Sequence, residues 1–208
     1  MYLPPQFRSD DPAIALAVMR AHALASIIST DDDGFPFVSH LPLNAQAGEG
    51  AAFTLWGHSA KANPHWRYLE KRPHALVTFL GPHAYLSPSV YPDRERVPSW
   101  NYLAVHCKVQ ARLLHDAQEK DNLLKRLIGD HEPAYAQQWR GLDESFTSKM
   151  LAGIVGFELQ VTSWQCKLKL NQHRPESHAA LRAAYAAGNE HERALALWMD
   201  KLQIGSAQ

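Results

Sequence analysis

The most regular hydrophobic pattern in the chain lies between Leu103 and Leu113. Apolar residues occupy every second position there, and His106, Lys108 and Gln110 lie between them. A period of two is typical of a β-strand with one buried face and one face toward water or a ligand. A similar alternation between residues 154 and 170 predicts another strand.

Helical and β patterns alternate irregularly along the rest of the chain. Apolar spacing and start signals predict helices at residues 11–23, between Asn63-Pro64 and Pro73, at 115–132, and in a tail from Pro175 that breaks near Gly188. Short apolar runs predict a hairpin of 23–30 with 35–43 around Gly34, a strand at 51–58, and two short strands on either side of Gly81-Pro82. Residues 87–99, with Pro88, Pro92 and Pro98, predict an exposed loop.

This order of elements predicts a mainly β fold with α additions. Six or more strands with helices inserted between and after them favour an antiparallel barrel over a βαβ architecture. With 208 residues, 46% of them apolar and 20% charged, the chain has enough apolar material for one core with helical additions.

The charge balance limits the partners of the chain. Lys plus Arg number 21 and Asp plus Glu number 21, so no global positive field attracts DNA, RNA or an anionic membrane. DNA binding then requires a local patch, for which Lys120, Lys125 and Arg126 are candidates. Their acidic neighbours Glu119 and Asp121 oppose that role.

The location and the metal content are also predicted from sequence. The first residues lack a basic and apolar secretory signal, and no apolar run approaches ~20 residues. Cys107 and Cys166 lie in strand-like patterns, which favours buried reduced thiols, so we expect a cytoplasmic protein. Twelve histidines show no metal-ligand spacing, and no P-loop, nucleophile elbow or dinucleotide fingerprint is present, so we expect no metal.

Residues 56–66 form the first candidate binding segment. A predicted strand ends near Gly57 and a helix begins at Asn63-Pro64, so helix N-terminal amides and Lys61 point to one region, as a phosphate dianion requires. His58 and Ser59 could add further donors. The alternative interpretation is an ordinary connection from a strand to a capped helix.

Two further segments carry candidate ligand contacts. Trp100, Asn101 and Tyr102 precede the best strand, where aromatic faces can stack on a flat heterocycle and an amide can bond its edge. The alternative is that these aromatics are core or interface anchors. Residues 167–175 place Lys167 and Lys169 on one strand face, although two such lysines are also typical of a solvated face.

Several motifs in order resemble the PaiB family of FMN-binding transcriptional regulators. They extend from the first residues to about residue 175, and they are Met1-Tyr2-Leu3-Pro4, Ser39-His40-Leu41-Pro42, Gly57-His58-Ser59-Ala60-Lys61-Ala62-Asn63-Pro64-His65-Trp66, Gly81-Pro82-His83-Ala84-Tyr85-Leu86-Ser87-Pro88, Val97-Pro98-Ser99-Trp100-Asn101-Tyr102 and Val155-Gly156-Phe157-Glu158. Departures from the family pattern are Val90 in place of Trp, and Asn171 and His173 in place of Ser and Asn.

The resemblance implies a pyridoxamine-phosphate-oxidase-like split β-barrel that binds FMN at a homodimer interface. It implies a split-barrel domain over 1–174 and a helical C-terminal extension over 175–208 packed on it. The implied cofactor-binding residues, with no catalytic residue and no metal ligand, are Ser39, His40, His58, Ser59, Ala60, Lys61, Asn63, Trp100, Asn101, Lys169, Gln172 and Arg174.

Three functions are compatible with an FMN-binding split β-barrel. In the first, a flavin-binding, repressor-like regulator responds to FMN or its redox state and contacts DNA or a partner protein. The second is an FMN-dependent oxidoreductase of the flavin-reductase or pyridoxamine-phosphate-oxidase type, in which the protein orients a substrate over the flavin. The third is a ligand-binding protein with neither activity.

Overall fold

The computed structural model describes residues 1–49 and 52–205. In these residues the chain forms seven α-helices: α1 (Pro12–Ala21), α2 (His65–Lys71), α3 (Ala117–His131), α4 (Tyr135–Gly141), α5 (Glu144–Ala152), α6 (His178–Ala186) and α7 (Glu190–Lys201). Short 3-10 helices are found at Pro5–Phe7, Pro88–Val90 and Pro175–Ser177. None of the helices in the described part of the chain is long and apolar enough to span a membrane.

Eight β-strands make one sheet in the same residues: β1 (Arg8–Ser9), β2 (Leu24–Thr30), β3 (Pro36–Pro42), β4 (Asn44–Ala47), β5 (Phe53–Ala60), β6 (His74–Leu86), β7 (Ser99–Leu114) and β8 (Ile154–Lys169). The strand order is β3-β2-β6-β7-β8-β5-β4, and β1 pairs with β8. The pairs β2–β3, β2–β6, β4–β5 and β5–β8 are antiparallel. A mainly antiparallel sheet with inserted helices confirms the predicted fold class.

The chain divides into two compact units. The first unit comprises residues 1–18, 80–105 and 165–208, of which the structure describes those up to 205, and the second unit comprises 19–79 and 106–164. Strands β6, β7 and β8 each pass from one unit into the other along the chain. The boundary expected at residue 174 stays a prediction.

The predicted hairpin organises the second unit. In the turn, Asp31 Oδ1 accepts the amides of Asp33 and Phe35 at 3.0 and 2.8 Å, and Gly34 has φ +86°, a conformation that glycine adopts without steric cost. The register runs from Leu24 opposite Pro42 to Thr30 opposite Pro36. This register buries Ala25 and Ile27, and burial of a side chain as large as Ile27 stabilises the fold by about 1.5–3 kcal/mol.

The C-terminal tail lies in the first unit, and its helices break at Gly188-Asn189 as predicted. Asn189 and Glu192 form a reciprocal capping box at the start of α7, which is why the tail breaks at Gly188-Asn189. The apolar faces of the tail helices are buried at Leu181, Tyr185 and Leu195. At the end of β8, Asn171 takes φ 65°, a conformation that Asn tolerates better than most residues.

Some predicted elements differ from the structure. Gly81-Pro82 does not separate two strands, because β6 continues through it. The pair only changes which alternate positions are buried: Val77 and Phe79 are buried before it, and Ala84 and Leu86 after it. Proline loses one N–H but keeps a φ compatible with a strand. The short elements β4, α4 and α5 were not predicted. Residue 51, where the third strand was predicted to begin, lies outside the described residues.

Candidate functional site

The predicted site residues fall into two groups, one in each unit. Ser39, His40, His58, Ser59, Ala60, Lys61 and Asn63 belong to the second unit, whereas Trp100, Asn101, Lys169, Gln172 and Arg174 belong to the first. Within each unit the structure brings some of these residues together and turns others away.

The Lys61 backbone is held firmly while its side chain is exposed. The Lys61 amide donates to the Gly153 carbonyl at 2.8 Å, and Trp66 Nε1 donates to the Lys61 carbonyl at 3.0 Å. No carboxylate forms an ion pair with Lys61 among residues 1–49 and 52–205. An exposed, uncompensated cation on a rigid backbone is suited to an anionic ligand.

The amides that follow Lys61 are used within the protein. The Asn63 amide donates to the Ala60 carbonyl at 2.9 Å, and the His65 amide donates to Asn63 Oδ1 at 3.0 Å. Helix α2 begins at His65 and has seven residues, so it begins one residue later than predicted. The amides of Asn63 and His65 are therefore not open to a phosphate, so the Lys61 ammonium is the clearest donor of this segment.

A second cation lies near Lys61. Lys120 of α3 is only 8% exposed, and its Nζ donates to the Leu151 carbonyl at 2.7 Å. Burial lowers the pKa of Lys120, and the positive charge of Lys61 lowers it further. An anion bound at Lys61 would relieve this repulsion.

Asn63 and Ser39 belong to a closed buried network. Asn63 Nδ2 donates to Ser39 Oγ at 3.0 Å, and Ser39 Oγ lies 2.8 Å from His65 Nδ1. On the other side of the ring, His65 Nε2 lies 2.8 Å from Ser29 Oγ. If Ser39 donates to Nδ1 and Nε2–H donates to Ser29, a neutral His65 satisfies both of its nitrogens.

Burial keeps His65 neutral. The residue is 1% exposed, its ring packs edge-on against Phe37 with centroids 5.0 Å apart, and desolvation lowers its pKa to about 4. Ser39 is thus fully used in supporting the segment that follows Lys61.

Neighbouring predicted residues on the strands point in opposite directions. Ser39 is buried, whereas His40 is exposed on the other face of β3, where its Nδ1 lies 3.0 Å from Ser26 Oγ. On β5, His58 lies opposite Gly156 and Ser59 lies opposite Val155, so these two side chains also leave opposite faces. One ligand on one face of the sheet cannot contact both members of either pair.

Buried polar atoms without partners mark the β5 segment. Among the residues that the structure describes, His58 Nδ1 and Ser59 Oγ find no hydrogen-bond partner, and burial lowers the pKa of His58. Such atoms are uncommon in folded proteins and indicate either a ligand or a local cost in stability. Ala60, the last residue of β5, is exposed and contributes its carbonyl to the turn.

The five predicted residues of the first unit have different surroundings. Trp100 is 47% exposed, and its Nε1 donates to His83 Nδ1 at 3.3 Å. Gln172 is used internally, because its Oε1 accepts the Leu170 amide at 2.9 Å and its Nε2 donates to the Leu168 carbonyl. Gln172 therefore closes the end of β8 instead of facing a ligand.

Asn101, Lys169 and Arg174 line one cavity of about 290 Å³ in the first unit. Tyr91 and Asn171, which were not predicted as ligand contacts, also line the cavity. Tyr91 Oη donates to Asn171 Oδ1 at 3.1 Å. Their only sequence signal is proximity to predicted residues. Nothing in the hydrophobic pattern separates Asn171 from the surrounding turn.

The predicted basic patch is not present as a free surface. Lys120 is buried, Lys125 pairs with Asp121 at 2.5 Å, and the Arg126 guanidinium lies 4.5 Å from the Trp56 ring centre. Three cations engaged in this way leave few charges for nucleic-acid phosphates. Within the described ranges 1–49 and 52–205, no group of three or more His, Cys, Asp or Glu side chains is arranged to hold a metal ion.

A family model and a known protein both match most of this chain. A family model described as "Putative FMN-binding domain" matches residues 1–163. The protein named protease synthase and sporulation protein PAI 2 from Bacillus subtilis is 35% identical over 182 residues, which cover 85% of this chain and 84% of that protein.

Solved structures share the fold at low identity. The flavocytochrome Anf3 from Azotobacter vinelandii superposes with a TM-score of 0.60 at 18% identity, over 78% of this chain and 69% of that one. The FAD and heme binding protein from Mycobacterium smegmatis gives 0.56 at 19% identity, over 78% and 73% of the two chains. These similarities confirm the predicted split β-barrel fold.

Proposed function

The chain belongs to the family of the "Putative FMN-binding domain", and from this premise we propose that it is an FMN-binding regulatory protein of the PaiB type. FMN is the cofactor of this family, as the motifs in the sequence imply. The observation that supports the regulatory role is the 35% identity to protease synthase and sporulation protein PAI 2 along most of both chains.

Two lysine side chains of the second unit, Lys61 and Lys120, provide positive charge for the phosphate of FMN. A flavin phosphate carries nearly two negative charges, and Lys61 offers an exposed ammonium with no carboxylate ion pair in the described residues. Lys120 adds a second positive charge nearby. The amides of Lys61, Asn63 and His65 already have acceptors, so we propose that Lys61 Nζ, and not the start of α2, holds the phosphate.

When bound, FMN would supply reversible electron transfer, and the protein residues would hold and orient it. The role of Asn63, Ser39 and His65 is to fix the backbone beside Lys61. His58, whose Nδ1 lacks a partner, is proposed as an additional flavin contact. Trp100 as a flavin contact stays a prediction.

We further propose that the functional form is a homodimer. One outer face of the second unit is partly apolar: Leu24 is 68% exposed, Val38 is 45% exposed, and Ile28 lies opposite Val38 and Leu76, with the polar pair Ser26 and His40 between them. An apolar sheet face of this kind is typical of a protein interface. Light scattering should give twice the monomer mass at micromolar concentration, and Val38→Lys should shift the protein toward monomer.

The proposed regulator acts in the cytoplasm and has little general affinity for DNA. Cys166 is buried, and burial raises the pKa of its thiol to about 12, which suits a packed, reduced thiol in a reducing compartment. The chain has no net charge, and its predicted basic patch is engaged within the protein. Contact with a partner protein therefore fits the charges better than an extended DNA interface.

The test begins with reconstitution. The apo protein is mixed with FMN, free flavin is removed, and retained flavin is measured by absorbance and fluorescence. The flavin-loaded and apo forms are then compared for retardation of genomic fragments at low salt and for capture of a partner from extract. If neither form retards DNA and no flavin-dependent partner is found, the regulatory proposal is overturned although the cofactor stands.

A second experiment distinguishes the oxidoreductase alternative from the regulatory function. NADH or NADPH is added to the flavin-loaded protein without oxygen. Bleaching of the flavin with turnover would favour an oxidoreductase, because a regulator has no need for fast hydride delivery. Retained but unbleached flavin supports the regulatory function.

A further inference from the structure

The cavity of the first unit has a chemistry that differs from that of the Lys61 segment. It measures about 290 Å³, near the lower limit of small-molecule pockets, which are roughly 300–1,000 Å³. Phe7, Leu86 and Val97 form its apolar wall, and Asn101, Lys169 and Arg174 form its polar wall. An apolar wall with a few converging polar groups is typical of a small-molecule site.

Asn101 presents an acceptor without a partner. The residue is completely buried, its Nδ2 donates to Tyr185 Oη at 3.0 Å, and its Oδ1 has no hydrogen-bond partner within residues 1–49 and 52–205. The orientation of the amide is determined by Tyr185, whose single hydroxyl proton goes to the Tyr85 carbonyl at 3.2 Å. Tyr185 must therefore accept from Asn101, which leaves Oδ1 as the free acceptor.

Tyr185 remains a donor over the whole physiological range. Burial raises the pKa of its phenol to about 12, so the hydroxyl proton that orients Asn101 is not lost. An unpartnered, fully buried acceptor destabilises the fold unless a ligand or water satisfies it. The cavity therefore favours a molecule that carries an N–H or O–H donor.

The cations of the cavity are not neutralised by protein carboxylates. Lys169 Nζ donates to Ser99 Oγ at 2.7 Å, and neither Lys169 nor Arg174 forms an ion pair within the part of the chain that the structure describes. Arg96, by contrast, is bound by Asp93 at 2.7 Å and by Glu176 at 3.3 Å. Glu95 is the one carboxylate among the lining residues that the structure describes.

The excess of positive charge contributes to lowered pKa values of Lys169 and His173. Burial lowers the pKa of Lys169, and the cation of Lys167 lowers it further. Burial likewise lowers the pKa of His173, with Arg174 as the next cause. An anion between Lys169 and Arg174 would relieve the repulsion and gain two charge-assisted hydrogen bonds.

We propose that this cavity binds a small organic anion, with a carboxylate or phosphate held by Lys169 and Arg174, an apolar body against Phe7 and Leu86, and a donor group on Asn101 Oδ1. The cavity is lined by residues of the first unit, whereas Lys61 belongs to the second, and resting on the proposed function we assign the cavity as an effector site of the regulator or, in an oxidoreductase, a substrate site. The three residues that sequence resemblance assigned to the flavin thus serve a second ligand.

The probe is 4-aminobenzoate, which carries a carboxylate, an aromatic body and an amine donor. Its affinity for the apo protein is measured by calorimetry up to millimolar concentration, beside benzoate, which lacks the donor, and 4-aminobenzamide, which lacks the charge. Phosphate as the favoured anion is tested with 4-aminophenyl phosphate. We expect one of the two anions to bind and both partial analogues to bind more weakly.

Substitutions assign the binding to the cavity. Lys169→Gln and Arg174→Gln should each weaken the anion about ten- to a hundredfold, because each removes a charge-assisted contact. Lys149→Gln, an exposed lysine of α5, is the matched control and should have no effect. Lys169→Arg should retain most of the affinity, and thermal melts of all variants establish that they are folded.

The outcomes separate this site from the flavin site. Equal affinity of the anion for apo and FMN-loaded protein, and no effect of Lys61→Ala on it, support the proposal. Stoichiometric displacement of the anion by FMN would overturn it, because the cavity would then belong to the flavin. Failure of both anions to bind, or binding unchanged in Lys169→Gln and Arg174→Gln, would also overturn it without touching the proposed FMN phosphate site.

Discussion

Two of the buried polar networks, one in each unit, differ in how completely they are closed. In the second unit, His65 uses both ring nitrogens on Ser29 and Ser39, and Asn63 uses both ends of its amide. In the first unit, Asn101 donates to Tyr185 but keeps a buried oxygen without a partner. A closed network stabilises the backbone that carries a binding group, whereas an open one can receive a ligand.

The largest expected effect is in the closed network. His65→Ala leaves the hydroxyls of Ser29 and Ser39 without their partner and creates a cavity beside Phe37, so it should lower the free energy of unfolding by about 3–5 kcal/mol. Urea denaturation measures the change.

His40→Ala is the control for this substitution. It removes a histidine bonded to a serine on the exposed face of the same hairpin and should cost at most about 0.5 kcal/mol. Equal losses in the two variants would contradict the view that burial and closure make the His65 network important.

Acidification tests the same network without substitution. The pKa of His65 is about 4 in the folded protein and about 6.5 in the unfolded chain, so the unfolded state takes up a proton first as the pH falls. The contribution of His65 is fully present above pH 6.5 and is lost as the pH falls from 6.5 to 4, on the order of 3 kcal/mol.

Urea midpoints recorded across this pH range measure the loss. His65→Gln, which does not titrate, should show a flatter profile than the parent between the two pKa values. A parent profile as flat as that of His65→Gln would show that the ring is not held neutral by burial.

The next effect concerns FMN and not stability. Lys61→Ala removes the exposed cation proposed to hold the phosphate, so FMN affinity should fall roughly ten- to a hundredfold, or about 1.5–3 kcal/mol, with little change in thermal stability. Quenching of FMN fluorescence measures the affinity, and Lys149→Ala serves as the control for loss of a surface charge.

Asn63→Ala sharpens this result. It removes the bonds to Ser39 and to the His65 amide, so it should lower stability by about 1–2 kcal/mol and weaken FMN only indirectly. If Lys61→Ala binds FMN as tightly as the parent, the phosphate lies elsewhere and the proposed site is wrong.

The smallest expected effect on the two networks comes from Tyr185→Phe in the open one. Asn101 loses an acceptor and the Tyr85 carbonyl loses a donor, at a cost of about 1–2 kcal/mol. Because the amide of Asn101 is then free to rotate, binding of 4-aminobenzoate should also weaken. A loss of stability as large as that of His65→Ala would contradict the distinction between the two networks.

Much of the architecture was predictable from local pattern. The strand around Cys107 has the predicted period, with Leu103, Val105 and Val109 buried and Lys108 exposed. The hairpin turn at Gly34 and the break at Asn189 were predicted because turn and cap residues act through neighbouring backbone groups. Helices α4 and α5 were missed because each has fewer than ten residues, and α5 depends on its cap at Asp143 and on the burial of Leu151.

The candidate site was predictable only in part. Motif order pointed to the segment around Lys61, whose role in binding FMN stays a prediction, and the structure shows that the Lys61 side chain is exposed. The spacing of residues could not show that the amides of Asn63 and His65 already have acceptors. It also could not show that the side chains of Ser39 and His40 lie on opposite faces of β3. Gln172 likewise looked like a ligand contact and instead closes its own strand end.

The sequence by itself determined most of the strands and helices, the hairpin turn, the family and with it the cofactor, because these depend on residues close together in the chain or on motifs in a fixed order. The tertiary structure decided which polar groups are left over. Whether Asn101 has a free oxygen depends on Tyr185, which is 84 residues away, and whether Lys120 can contact DNA depends on the Leu151 carbonyl. Hydrogen-bond satisfaction is settled by contacts distant in sequence, so the chemistry available to a ligand is visible only after folding.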